Sequence, residues 1–401
     1  MRRIVAAVLA AGLLLTAAGC AALFDKEVYL EEPFEAPSET TETEDAADTI
    51  SSYAALRRAI TRIVSERAES AVLQFQNYEG TISRDISTAC WEVKSSTAIG
   101  AFAVDYISYD LSRIVSYTQA EIRITYKRSE YQMSALERLE NVAAMRTRLE
   151  EALREGETYL VMELTTVSLS ADAVSQSLER AYYADPMLCP VLPAAEVTLY
   201  PESGVQRIVE MTLDYGMDSE SLAARREELA AALDGLLAYA LPAEESDPNA
   251  SAEPEDAAQS ADRVRYLCEA LAGTCVPDAA AGATAWDALA AQTATDEGMA
   301  LALEAACHAA GIECIPVFGR LDGEDYVWNI VTIDGSSYHV DVFRWAESDG
   351  TVFLASDEDL WGAYWWDIGE YPSCPLRFGE EAELPEASSG EASSAEIDGN
   401  I

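Results

Sequence analysis

Apolar residues recur at helical spacing across residues 53–66, where Tyr53, Leu56, Ile60, Ile63 and Val64 share one face. The pattern then predicts a strand at 71–78, a helix at 82–94, a strand at 102–109 and a strand at 120–126 reading AEIRITY. The series restarts with one long helix expected at 129–154, whose apolar face holds Leu136, Leu139, Val142, Met145, Leu149 and Leu153. A strand at 159–166, a helix at 170–183, strands at 196–200 and 209–215 (VEMTLDY) and a helix at 218–239 complete it. The order helix–strand–helix–strand–strand therefore occurs twice. AEIRITY and VEMTLDY end in Tyr126 and Tyr215, 89 residues apart. Two copies of one α+β unit are expected; the period is too long, and the copies too few, for a solenoid. This block has no Gly-rich phosphate loop, HExxH or GxSxG. Scaffolding or recognition is its expected role, with Trp91 and the strand-end tyrosines as core and rim aromatics.

Three stretches lack such periodicity, and they change the meaning of the charge. The chain of 401 residues carries 71 Asp and Glu against 26 Lys and Arg, a net charge of -45. Residues 21–50 hold ten acids and one Lys, 242–262 seven acids and no base, and 380–401 seven acids and no base. About half the net charge thus lies in segments that read as solvated spacers. The expected organisation is a signal peptide at 1–19, an acidic tether at 20–50, a duplicated α+β domain at 51–240, a linker at 241–262, a second domain at 263–379 and a disordered tail at 380–401. So acidic a chain repels phosphate backbones and anionic membrane surfaces, so nucleic acid is not an expected partner. With only His308 and His339, a His-rich metal site is excluded. No metal or cofactor is expected.

The N-terminus reads as an export signal. Arg2 and Arg3 precede an apolar run from Ile4 to Ala18 that is short for a membrane span. The run ends Ala17-Ala18-Gly19-Cys20, which resembles a bacterial lipobox, although Ala17 stands where Leu is usual. Cleavage before Cys20 and lipidation of its thiol are expected, placing the chain on the extracellular face of the bacterial cell membrane, anchored but not spanning. In such a compartment disulfides persist. Seven further cysteines remain, an odd number; Cys268/Cys275 and Cys307/Cys314 are close enough in sequence for local bridges, but spacing does not fix connectivity.

The second block carries the motifs. ATAWDALAAQTATDEGMALAL (283–303) is followed by AACHAAGIECIPVFG (305–319), DYVWNIVTIDGSSYHVDVF (325–343) and FLASDEDLWGAYWWDIGEYPSC (353–374). This series resembles the transglutaminase-like superfamily of secreted bacterial cysteine enzymes. The resemblance covers about 283–374 and implies a papain-like α+β core preceded by the duplicated domain. It also implies a Cys nucleophile at a helix N-terminus, a His base and an orienting Asp.

Laid on this sequence, Glu297-Gly298-Met299-Ala300 matches the residues after the nucleophile, whose own place falls on Asp296. The family's His falls on Tyr326 and its Asp on Asp341. Asp296 suits a helix N-terminus, and Tyr326 is a poor base at neutral pH. Trp328 and Asn329 are expected to line the surviving cleft. Trp361, Trp365, Trp366 and Tyr371 read as core packing, with ligand stacking the alternative. Cys307 with His339 as a substitute dyad, or Asp296 with Asp341 as a carboxylate pair, are lesser readings. The expectation is a lipid-anchored protein with a degenerate, catalytically inactive transglutaminase-like domain that binds a peptide, a cell-wall component or an envelope protein. The alternative is an active acyl-transfer or peptide-hydrolase enzyme with a non-standard nucleophile.

Overall fold

A computed structural model describes residues 49–165, 169–241, 257–347 and 352–380. The signal sequence, Cys20, most of the tether, the acidic stretch 242–256 and the tail from 381 lie outside the described residues. Among the described residues no helix is long and apolar enough to cross a membrane. The chain divides into two compact units, with the boundary between Ala231 and Ala232.

The first unit holds two sheets with one topology. The first copy runs β1 (Thr49–Ile50), α1 (Tyr53–Ser65), β2 (Ser70–Phe75), α2 (Ile82–Ser96), α3 (Ala98–Ala103), β3 (Val104–Ile114) and β4 (Tyr117–Tyr126). The second runs α4 (Glu130–Ser134), β5 (Leu136–Leu139), α5 (Val142–Glu155), β6 (Tyr159–Leu164), α6 (Ala171–Ala184), β7 (Ala194–Tyr200) and β8 (Arg207–Asp214); α7 (Ser219–Ala240) follows and contains the unit boundary. The strand orders are β1-β2-β4-β3 and β5-β6-β8-β7. In each sheet the first pair is parallel and the other two antiparallel. The duplicated α+β domain read from the sequence is thus present as two sheets of equal order and sense.

Local chemistry sets these elements. Ser52 caps α1 by accepting the Ala55 amide, and the face Leu56, Ile60, Ile63 and Val64 is buried against Leu73, Ile86 and Ile122. Gly100 lets α3 fold back on α2, because a Cβ there would lie 1.8 Å from the Val93 carbonyl oxygen. Phe102, Ala103, Met133, Val161 and Ile208 pack together between the copies. There Arg128 pairs with Glu210 at 2.6 Å, bonds the Tyr200 hydroxyl at 2.7 Å and lies over the Phe102 ring.

Three sequence expectations need correction here. The single helix at 129–154 is a short helix, a strand and a second helix. Asn141 caps α5 through the Ala144 amide, and Leu136–Leu139 pairs in parallel with β6. The spacing of three from Leu136 to Met145 mimics a helix face, but parallel pairing with a distant strand wins. The tether ends sooner than expected, since Thr49–Ile50 is a strand and Ile50 is buried in the core. Trp91 is exposed rather than core.

In the second unit α8 (Ala257–Thr274) begins inside the expected linker. It leads through β9 (Val276–Gly282), α9 (Ala285–Leu289) and β10 (Thr293–Ala294) to α10 (Asp296–Ala309). Then come β11 (Glu313–Leu321), β12 (Glu324–Ile333), β13 (Ser336–Asp341), α11 (Val342–Glu347), β14 (Val352–Ala355), α12 (Asp357–Leu360) and β15 (Tyr364–Trp365). These form a five-stranded antiparallel sheet of order β14-β13-β12-β11-β15. Asp334 and Gly335, both at positive φ, make the tight turn between β12 and β13. On α10 every residue from Gly298 to Cys307 is buried. At the far edge Gly319 is obligatory: a Cβ would sit 2.3 Å from the Trp365 carbonyl oxygen and 2.6 Å from the Trp328 ring.

Candidate functional site

The three mapped positions come together where α10 meets β12 and β13. Thr295 caps α10 by accepting the Gly298 amide, which leaves Asp296 as the first helical residue. Its carboxylate reaches across to the sheet and accepts the Val327 amide at 2.7 Å. Burial raises the Asp296 pKa, against the opposing effect of that amide and those of the helix start.

Strand alternation places Tyr326, Trp328 and Ile330 on one face of β12, and Val327, Asn329 and Val331 on the other. Tyr326 donates its hydroxyl to Asp341, 3.0 Å from either oxygen. Asp341 ends β13, is completely buried, and caps α11 by accepting the Arg344 amide at 3.0 Å. Tyr364 of β15 donates a third bond to it at 2.6 Å. Burial raises the Asp341 pKa despite these three donors. Burial, and then the Asp341 charge, push Tyr326 and Tyr364 well above the ordinary tyrosine value, so both hydroxyls keep their protons.

Trp328 and Asn329 do not line a cleft. Trp328 is enclosed by Tyr326, Tyr364, Trp366 and His339. Asn329 is sealed beneath α10, where its amide donates to the Ala300 carbonyl at 3.0 Å and its side-chain oxygen finds no partner. The correction follows from the pleat: the face carrying Trp328 is covered by β15 and the C-terminal segment, and the other face by α10. The aromatic C-terminal segment divides, with Trp366 buried and Tyr371 half-buried, while Trp361 and Trp365 are exposed.

A second cluster lies behind Trp328. His339, Asp357 and Cys374 bring ligand-type atoms within 4.8 Å of one another. The hydrogen bonds that His339 makes do not suit a metal. The Trp328 indole donates to His339 Nδ1 at 3.0 Å, so the ring proton sits on Nε2, 3.0 Å from Asp357 Oδ1. A metal on Nε2 would require a proton on Nδ1, facing another donor. Asp357 also accepts the Cys374 amide at 3.0 Å and donates its own amide to the Cys374 carbonyl at 2.7 Å. Burial pushes the Cys374 thiol up to about 12, far from a thiolate. The cluster is a chain of hydrogen bonds that ties the C-terminal segment to the sheet. Both nitrogens of His339 are occupied, so it is not free to pair with Cys307. Asp341 is sealed from water and cannot serve in a carboxylate pair with Asp296.

Tyr364, Arg344, Asp357 and Cys374 carry this arrangement and were not singled out in the sequence. The one local signal was S-x-x-D at Ser356–Asp359, which forms a capping box.

The buried His339 gives a pH dependence. Burial lowers its pKa below the ordinary 6.5, against the pull of Asp357. The unfolded chain therefore takes up a proton that the folded chain refuses. Its stabilisation is complete above pH 6.5 and declines as pH falls from there toward the folded value. The urea midpoint is expected to drop as pH falls below about 6.5, and His339→Gln to flatten that part of the curve. An unchanged slope in the variant would assign the acid sensitivity to other groups.

No family model matches the chain, and no curated protein matches it. Among solved structures it matches a transglutaminase at 14% identity and a TM-score of 0.24, over 55% of this chain and 60% of that one. A candidate cysteine protease from Cytophaga hutchinsonii matches at 10% identity and 0.23, over 41% of this chain and 66% of that one. A candidate protease from Parabacteroides distasonis matches at 8% and 0.20, over 67% of this chain and 39% of that one. The chain thus spans less than two thirds of the length of each. The chemistry rests on the side chains described above; the solved proteins that this α+β chain is similar to include a transglutaminase and candidate proteases.

Proposed function

We propose that this chain is an exported protein, lipid-anchored at Cys20, whose transglutaminase-like unit works by binding and not by cysteine chemistry. The observation that carries the reading is the employment of both carboxylates. Asp296, at the nucleophile's place, holds a strand amide, and Asp341, at the orienting place, is saturated by two tyrosines and a helix amide. A nucleophile needs a lowered pKa and access to substrate. Neither Tyr326 nor the buried thiols of this unit offer both. The partner class in this reading is a peptide, a cell-wall component or an envelope protein, met on the outer face of the membrane. The exposed Trp361 and Trp365 are the stacking surfaces that the unit presents to such a partner.

The test is amine incorporation and peptide hydrolysis by the purified protein, beside an Asp296→Ala variant. Both proteins are expected to match the buffer blank. Turnover that the wild type shows and the variant loses would replace the binding reading with an enzyme that uses a carboxylate.

A further inference from the structure

The second unit contains three buried thiols around the end of α10, and their placement selects a pair. Seven cysteines among the described residues are free thiols. Cys268 and Cys275, near in sequence, lie seven residues apart along α8 and its end. At the helical rise their Cα atoms are about 10 Å apart, beyond disulfide reach.

Cys307 and Cys314 are arranged differently. The Gly311 amide bonds the His308 carbonyl, and the Ile312 amide bonds the Cys307 carbonyl at 2.8 Å. With Gly311 at φ 77°, this is a Schellman reversal, in which Cys307 begins the motif. The chain turns straight back into β11. The His308 ring then bonds the Cys314 carbonyl at 2.8 Å, holding the first turn of the strand against the last turn of the helix. Both side chains are wholly buried, Cys307 on the last turns of α10 and Cys314 on the first residues of β11, close enough that each thiol acts on the other electrostatically. Cys268 lies near Cys307 as a third thiol.

We propose that Cys307 and Cys314 are a disulfide site, closed when the chain folds in the presence of a disulfide oxidant. One sulfur, as thiolate, attacks the oxidant's S–S bond to give a mixed disulfide and release one thiol. The second sulfur then displaces the oxidant's remaining half. The two cysteines lose two protons and two electrons, and the oxidant leaves as two thiols. The pairing itself rests on the geometry of the unit; only the supply of oxidant in the cell rests on the export reading above. Once folded, the pair is shielded from solvent, so the bond forms during folding and is protected afterwards.

The experiment refolds the full chain from urea in a buffer of oxidised and reduced glutathione. The product is denatured, its free thiols are alkylated, and it is digested for mass spectrometry. The expected product carries two fewer alkyl groups than the reduced protein and yields one linked fragment containing Cys307 and Cys314. Cys268→Ser is expected to keep that link, and Cys307→Ser to lose it. The oxidised protein should have a higher urea midpoint than the same protein kept in reductant. A Cys268–Cys307 link, or complete alkylation after refolding, would overturn the proposal. Because the oxidant is added in the tube, neither result depends on where the cell places the chain. The cellular arm compares protein made with and without residues 1–19; a link in the refolded protein but in neither cellular sample would count against export alone.

Discussion

Trp328→Ala is expected to lower the unfolding free energy by about 3–5 kcal/mol, the largest effect of any single truncation considered. The indole is 1% exposed and is surrounded by Tyr326, Tyr364, Trp366 and His339, with ring centroids between 5.1 and 6.4 Å. Its far edge lies on Gly319, where no side chain could be added to fill the space from below. The neighbours are themselves rings, and three of them are fixed by hydrogen bonds, Tyr326 and Tyr364 to Asp341 and His339 to Asp357, so they collapse poorly into the cavity. Trp328→Phe separates the two contributions. It keeps most of the packing but leaves His339 Nδ1 without its donor, at an expected cost of about 1–3 kcal/mol. Urea unfolding at constant pH measures both. A loss below about 1 kcal/mol for the alanine variant would show that the aromatic cluster rearranges freely.

Asp341→Ala is expected to cost on the order of 3 kcal/mol, and Asp341→Asn clearly less. The alanine removes the acceptor shared by the Tyr326 hydroxyl, the Tyr364 hydroxyl and the Arg344 amide. It also uncaps α11, so a helix start and a strand end loosen together. Asparagine keeps the size and one carbonyl oxygen, and a tyrosine hydroxyl can turn to accept from its amide. It also escapes the cost of holding a charge where burial raises the pKa. That cost is absent below the unfolded carboxylate value and grows as pH rises through the folded one, so the gap between wild type and Asp341→Asn should narrow toward neutral pH. A catalytic Asp would give another pattern: little loss of stability and a large loss of turnover.

The sequence made the local elements legible and the long-range ones illegible. Helices α1, α2 and α6 follow from apolar period alone, and AEIRITY and VEMTLDY stand out as strands because their alternation survives in isolation. The short strands β1, β5, β9 and β10 have parallel partners elsewhere in the chain, and nothing in two to seven residues announces that. At the site, spacing against a family pattern located Asp296, Tyr326 and Asp341, which do converge. It misjudged Trp328 and Asn329 because an aligned motif gives position along a strand but not what covers each face. Tyr364 and Cys374 were invisible for a related reason: they reach the sheet through an irregular C-terminal segment whose course no periodicity encodes.

The helix that begins with Asp296 has a consequence for the order in which the chain is made. From Gly298 to Cys307 it has no side in contact with water. Its partners include α8, made before it, and β11, β12 and α11, all made after it. A nascent chain that has reached residue 310 therefore exposes a sticky apolar rod with only part of its covering. It must wait for roughly another thirty residues before the sheet can close over it. During that interval the only charge on the buried stretch is Glu304, and the acid-rich sequence upstream supplies the repulsion that keeps neighbouring chains apart. Chaperone occupancy on stalled chains should accordingly peak between the end of this helix and the completion of β13.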